Sequence, residues 1–162
     1  MLSSVILSSS LPTMARDSLF DAATAQHLEK DTSVHYFGPK AGNFHYDKRM
    51  IHAAELAQQR ARAHSARSCW RYVKDALLAA NVLSSRPATV LAKQAGQELT
   101  GKYGFQKLKV SDPYKAPVGS VLVYGGRGAG HVEIRSRYGF VSDFSSLTPS
   151  HRPLIGVFIK PS

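Results

Sequence analysis

The chain has 162 residues and a mass of 17.7 kDa, which suits one hydrophobic core and not two independent ones. Hydrophobic residues make up 43% and charged residues 20%, a globular composition that excludes a collagen-like or wholly disordered chain. The 21 Lys and Arg against 11 Asp and Glu give a net charge of +10, so we expect an anionic partner. The lone cysteine, Cys69, excludes an intrachain disulfide and a multi-cysteine zinc site.

The N-terminal segment 1–15 combines a short apolar stretch with small residues up to Ala15. This pattern resembles the end of a secretory signal. No Lys or Arg precedes the apolar part, so a disordered N-terminal tail is the equal alternative. No stretch of the sequence is apolar for long enough to span a bilayer.

Helices are predicted in the first part of the chain. Apolar residues at helical spacing indicate helices over residues 16–30, 47–64 and 69–82, with an aromatic-rich loop over residues 32–46. Pro87 suits the first turn of a further helix that runs to about Leu99.

Strands are predicted in the rest of the chain, over residues 108–110, 120–124, 131–137, 140–144 and 154–159. Helices followed by antiparallel strands predict an α+β domain, with the helices packed on one face of the sheet. We divide the chain into the tail of residues 1–15, a helical extension or cap of residues 16–64, and a core of residues 65–162.

The surroundings of Cys69 favour a reactive thiol over a core cysteine. Ser68 is a plausible N-cap, which places Cys69 in the first turn of a helix. The unpaired amides and the dipole at a helix N-terminus stabilise a thiolate there, and Arg67 and Arg71 act in the same direction. Taken alone, a lone cysteine is more often a buried small hydrophobe.

A nucleophilic thiol needs a base, and His131 is the best placed of the 7 histidines. It follows a glycine-rich loop and opens a predicted strand. A third group must orient the imidazole. Asp143 on the next predicted strand is our first candidate, because neighbouring strands bring side chains within hydrogen-bond reach. Glu133 lies on the same strand face as His131 and is the second candidate, with a solvated strand residue as its ordinary role.

Four segments together resemble the CHAP and NlpC/P60 peptidoglycan hydrolases. They are the cysteine motif CWRYV at residues 69–73, the turn and strand PVGSVLVY at 117–124, the histidine strand GHVEI at 130–134, and the polar position in VSD at 141–143. The order of cysteine, histidine and polar residue also fits, as does the gap of about sixty residues between the first two. The resemblance covers residues 65–160.

This resemblance implies a papain-like fold and a cysteine-dependent endopeptidase or amidase that cleaves amide bonds of cell-wall peptides. Cys69 would be the nucleophile, His131 the base and then the acid, and Asp143 the residue that holds the imidazole tautomer. The backbone N–H of Cys69 would stabilise the oxyanion. It further implies a secreted or periplasmic bacterial monomer whose partner is peptidoglycan or its stem peptides, with no cofactor, metal or nucleic acid required.

Other readings of the sequence remain open. The charge also suits a nucleic-acid-binding protein, although no RNA-binding or helix-turn-helix signature is present. A papain-like fold can also serve acyl transfer, or act as a non-catalytic module that binds the cell wall. The glycine-rich segment 125–130 lacks the Lys-Ser/Thr of a phosphate loop and precedes a strand, which favours a loop.

Overall fold

A computed structural model describes residues 45–162 of the chain. The predicted tail over residues 1–15, the predicted helix over 16–30 and nearly all of the aromatic-rich loop lie outside the described residues. In the described part, the helices are α1 (Arg49–Arg60), α2 (Cys69–Ala79) and α3 (Ala95–Tyr103), with short 3₁₀ turns at Ala92–Gln94 and Pro113–Lys115. The strands are β1 (Gln106–Leu108), β2 (Val121–Tyr124), β3 (His131–Ser136), β4 (Gly139–Val141), β5 (Ser145–Ser146) and β6 (Leu154–Ile159).

The strands form one antiparallel sheet in the order β1-β6-β2-β3-β4-β5. The main hydrophobic core lies between the helices and one sheet face, and a smaller cluster around Leu122, Tyr124 and Phe140 covers the other face. Trp70, Val73 and Leu77 of α2 are buried in the main core, as their helical spacing predicts. The predicted α+β architecture with helices packed on an antiparallel sheet is confirmed.

Helix α1 belongs to the same core as the sheet, although we placed it in an extension that ends at residue 64. Met50, Ala53, Ala54 and Ala57 are all buried in the cluster that α2 and the central strands share. Small alanine side chains let α1 approach its neighbours closely. The described part of the extension is therefore built into the domain that carries Cys69.

The helix predicted from Pro87 begins later, at Ala95, and it ends at Tyr103 rather than near Leu99. The segment before it is extended because side chains bind its backbone. The Lys74 Nζ donates to the carbonyl oxygens of Pro87 and Thr89 at 2.8 and 2.6 Å. The Glu98 carboxylate accepts the backbone N–H of Ala88 at 2.6 Å and that of Thr89 at 2.9 Å. These contacts replace the helical hydrogen bonds that the sequence pattern suggested.

Between residues 45 and 162, no helix is long and apolar enough to cross a membrane.

Candidate active site

Cys69 is the first residue of α2, as predicted, and its half-buried thiol meets His131. Burial by itself raises the pKa of this thiol. A hydrogen bond with His131 and the backbone N–H groups of Val132 and Trp70 act against burial, and on balance the pKa of Cys69 is lowered. The structure therefore brings together the predicted nucleophile and the predicted base.

His131 opens strand β3, and Gly130 determines how the chain enters that strand. Gly130 has φ +77°, and a Cβ added there would lie 2.5 Å from the carbonyl oxygen of Tyr124 and 2.7 Å from Cβ of Lys93. A side chain is therefore excluded both by the backbone conformation and by the space. The tight approach fixes the start of β3 beside the 3₁₀ turn that precedes α3, where the Lys93 N–H donates to the Ala129 carbonyl at 2.9 Å.

The carboxylate partner of His131 is Glu133, and the predicted contact with Asp143 is not the one that the structure shows. His131 Nε2 lies 3.2 Å from Glu133 Oε2, which leaves Nδ1 as the ring nitrogen available to the Cys69 thiol. Burial disfavours the imidazolium, but the hydrogen bonds and negative charges of Cys69 and Glu133 outweigh it and raise the pKa of His131 to about 9. The contact between the two groups thus favours the thiolate of Cys69 and the imidazolium of His131.

Glu133 is buried, with 4% of its surface exposed, and not the solvated strand residue that we expected as its ordinary role. The Tyr124 hydroxyl donates to Glu133 Oε1 at 2.6 Å, and the backbone N–H of Ser150 donates to the same oxygen at 3.3 Å. Burial and the charge of Glu133 raise the pKa of Tyr124, so the phenol stays protonated as a donor. One carboxylate oxygen is thus held by Tyr124 and Ser150 while the other faces the imidazole.

Asp143 is fully buried but serves the backbone that leads into Cys69. Its Oδ2 accepts the N–H of Ala66 at 2.6 Å and that of Ser68 at 3.1 Å, and also the hydroxyl of Ser65 at 3.2 Å. Its Oδ1 accepts the Ser142 hydroxyl at 3.1 Å. Burial raises the pKa of this carboxyl, but the N–H donors of Ser68 and Ala66 prevail and lower it.

The end of strand β4 explains why Asp143 does not meet His131. Strand β4 pairs with β3 through Ser136↔Gly139 and Ile134↔Val141, and it ends at Val141. Val141 then pairs with Ser145 of β5, so Asp143 lies in the turn between these two strands and not in the ladder beside β3. From this turn its carboxylate meets the loop before Cys69 instead of the imidazole.

The loop before Cys69 contains a backbone conformation that an L-residue rarely adopts. Arg67 has φ +56°, in the left-handed region. The two N–H groups bound by Asp143 Oδ2 flank this residue, one on each side. Ser68 occupies the N-cap position as predicted, but its side chain makes no capping hydrogen bond and donates to the Ala66 carbonyl at 3.2 Å. Asp143 supplies the contacts that hold the strained loop in place.

The arrangement has the parts needed for acyl transfer through a thiol. A thiol with a lowered pKa lies beside an imidazole with a raised one, and a buried carboxylate contacts that imidazole. The Cys69 N–H lies in the first helical turn, where amides lack intrahelical acceptors. In the described residues, no group of three or more His, Cys, Asp and Glu is arranged to hold a metal ion.

Sequence reasoning missed the support of Glu133 by Tyr124 and by the loop at Ser150. A signal for the first was present: strands β2 and β3 are both short and adjacent, and residues two apart on one strand share a face. Tyr124 pairs with His131, so it lies diagonally opposite Glu133. The contribution of Ser150 comes from the loop between β5 and β6, which brings its N–H to Glu133, and it leaves no mark in the local sequence.

Comparison with known proteins gives a likeness of fold. No protein-family model matches the sequence, and the search of curated proteins finds no match. Similar solved chains include one from the crystal structure of the type VI native effector–immunity complex Tae3–Tai3 from Ralstonia pickettii. It is 24% identical with a TM-score of 0.55, and the match covers 70% of this chain and 98% of that chain.

A second chain comes from the SeMet crystal structure of the same complex. It is 28% identical over 58% of this chain and 80% of that chain, with a TM-score of 0.48. The first likeness shows that this protein shares the fold of a chain from an effector–immunity complex. The resemblance to the CHAP and NlpC/P60 hydrolases stays a prediction.

Proposed function

We propose that this protein is a cysteine-dependent hydrolase that cleaves amide bonds of peptidoglycan. The observation that carries the proposal is the chain of contacts from Cys69 through His131 to Glu133, with a lowered thiol pKa and a raised imidazole pKa. The fold shared with a chain of a type VI effector complex supports it, as do the cell-wall hydrolase motifs and the net charge of +10.

In the first half of the proposed reaction, the Cys69 thiolate attacks the amide carbon and forms a bond from Sγ. The developing oxyanion accepts the N–H of Cys69. The His131 imidazolium then gives its proton to the amide nitrogen, the C–N bond breaks, and the amine leaves. A thioester on Cys69 and a neutral His131 remain, with Glu133 holding the imidazole in the tautomer that presents Nδ1 to the substrate.

In the second half, His131 takes a proton from water as the water oxygen attacks the thioester carbon. The C–S bond breaks, the acid product leaves, and the thiolate and imidazolium are restored. In this proposal Asp143 touches none of the reacting atoms. It acts as a positioning residue because it holds the loop that presents Cys69.

We further propose that the protein acts outside the cytoplasm of the cell that makes it, because its substrate lies there. The complex that contains the similar fold joins an effector with an immunity protein. An inhibitory partner that covers Cys69 and His131 is therefore part of the proposal. Such a partner would be expected to carry acidic side chains opposite the basic surface of this chain.

Mass spectrometry of purified peptidoglycan after incubation with the protein tests the proposed function. We expect pairs of new fragments whose masses sum to that of the parent muropeptide plus one water, and none with Cys69→Ala. Identical fragment patterns with active and Cys69→Ala protein would overturn the proposal. The mass of the fragments would also identify which amide bond is cut.

A further inference from the structure

A basic groove lies beside the proposed active site and is not used by the reaction described above. Its first hollow, of about 400 Å³, lies between α3 and strand β6, where Lys93, Gly96, Lys107 and Phe158 contribute to its walls. A second hollow of about 320 Å³ continues along β1 and reaches Lys109. The two hollows share Lys107 and Ile155, so we treat them as one channel and call it the lysine groove.

Two glycines form the floor of the lysine groove. A Cβ at Gly96 would come within 2.4 Å of the Phe158 ring, and a Cβ at Gly156 within 2.6 Å of Cε of Lys107. Side chains at these positions would fill the hollow or push its walls apart. The Lys107 stem lies across Gly156, and Lys107 as a whole is exposed.

The lysine groove carries positive charge without compensation. Lys93, Lys107 and Lys109 are exposed, and the described residues that line the groove include no Asp or Glu. None of the ion pairs found between residues 45 and 162 involves these lysines. An anionic chain in the groove would therefore meet three ammonium groups and no carboxylate.

Lys93 connects the groove with the loop that precedes His131. It lines the first hollow, and its N–H donates to the Ala129 carbonyl at 2.9 Å, while its Cβ lies beside Gly130. The residue that follows Gly130 is His131, the proposed base. One end of the groove is therefore formed by a residue that contacts the loop leading to the active site.

We propose that the lysine groove binds the carboxylate-bearing peptide portion of the cell-wall substrate that continues beyond the bond to be cleaved. This inference rests on the proposed function and adds to it a binding site with its ligand chemistry. Exposed lysines are hydrated point charges that suit carboxylates spaced along a flexible peptide. The contribution is expected to be salt-sensitive, since the groove is open to solvent.

The test is sedimentation with sacculi freed of attached phosphate polymers, so that peptide carboxylates supply the negative charge. It uses Cys69→Ala as the parent protein, because this variant binds without cleaving. Lys107→Glu/Lys109→Glu is the groove variant. Lys48→Glu/Lys115→Glu is the matched control, with the same change in charge at exposed lysines outside the groove. We expect the groove variant to bind about fivefold more weakly and with a shallower salt dependence, while the control stays close to the parent.

Circular dichroism melting verifies that each variant is folded, and Lys107→Gln/Lys109→Gln replaces the groove variant if the reversal unfolds the chain. Equal binding by the groove and control variants would overturn the groove proposal, while hydrolysis by the protein with Cys69 intact would leave the proposed function standing. Binding of duplex DNA is measured with the same variants. If the groove variant loses DNA binding but keeps sacculus binding, the groove binds nucleic acid and the proposal is overturned. Wild-type protein that neither binds nor cleaves sacculi would overturn both.

Discussion

Two buried carboxylates lie near Cys69, and they do different work. Glu133 faces an imidazole, so its charge acts on a group that can exchange a proton. Asp143 faces backbone N–H groups, which cannot exchange one in the reaction, so its charge acts on the shape of the loop. The difference teaches that burial and negative charge near a nucleophile do not by themselves identify the third member of a catalytic group. What distinguishes the two carboxylates is the set of atoms that each oxygen contacts.

The largest loss of activity is expected from removing the side chain of Cys69 or that of His131. Cys69→Ala and His131→Ala should each lower the hydrolysis rate by at least about 10³-fold, because neither attack nor proton transfer can proceed without its group. The double variant should lose little more than either single one. A sacculus turbidity assay measures all three, and additive losses would show that the two residues act independently.

Glu133→Gln sharpens the comparison by keeping shape and removing charge. We expect a rate about 10²-fold lower, because the imidazolium loses its anionic partner and the tautomer is less well held. Glu133 contributes to raising the pKa of His131 to about 9. The alkaline limb of the pH–rate profile, where the imidazolium loses its proton, should therefore move to lower pH. An unchanged limb would argue against contact between Glu133 and the working imidazole.

Asp143→Asn tests the other carboxylate and should change stability more than proton chemistry. The amide offers one acceptor where the carboxylate accepted several donors, so we expect about 2–4 kcal/mol less stability. Activity should fall about tenfold because Cys69 is placed less well, whereas the alkaline limb of the pH–rate profile should stay at the same pH. Denaturant unfolding measures the stability, and a pH–rate series measures the activity. A shift of the alkaline limb as large as that of Glu133→Gln would indicate that Asp143 is the carboxylate that acts on His131.

The stability that Asp143 contributes should depend on acidity. Its pKa is lowered in the folded protein, so its contribution is complete above the unfolded carboxyl pKa of about 3.9 and is lost as the pH falls through the folded value. The stability difference between wild type and Asp143→Asn should accordingly shrink in acid. A difference that stays constant down to about pH 3 would contradict this role.

Tyr124→Phe is the smallest of these changes, since it removes one hydrogen bond from Glu133 Oε1 and leaves the N–H of Ser150. We expect a rate only a few-fold lower, about 2- to 5-fold, because the carboxylate remains in place.

Iodoacetamide should alkylate Cys69 in the folded wild-type protein at a lower pH than it alkylates an ordinary free thiol, because the pKa of Cys69 is lowered. A thiol that reacts only after unfolding would exclude a catalytic cysteine altogether.

Local pattern was sufficient for much of the fold. The positions of α2, β2 and β6 follow from helical spacing, a proline-glycine turn and an apolar run. Helix α3 was misplaced because Lys74 of α2 and Glu98 of α3 bind the backbone of the segment between these two helices. Propensity cannot anticipate such competition, since it depends on which side chains the fold brings near.

The prediction of Asp143 as the partner of His131 rested on a strand that was expected to run through residue 144. That strand ends at Val141, so Asp143 lies outside the ladder of β3 and β4, and the reach between neighbouring strands does not apply to it. Glu133 lies on β3 itself, two residues after His131 and on the same face, which is why it meets the imidazole.

The sequence by itself determined the α+β class, the helix N-terminus that carries Cys69 and the glycine-led strand that carries His131, because periodicity and turn chemistry are local properties. Only the tertiary structure decided which carboxylate meets the imidazole, which one holds the strained loop at Arg67, and that Lys93 lines one groove with Lys107 and Lys109. Those outcomes depend on strand register and on contacts between residues far apart in the chain, and the energies of such contacts are settled only when all of the elements pack together.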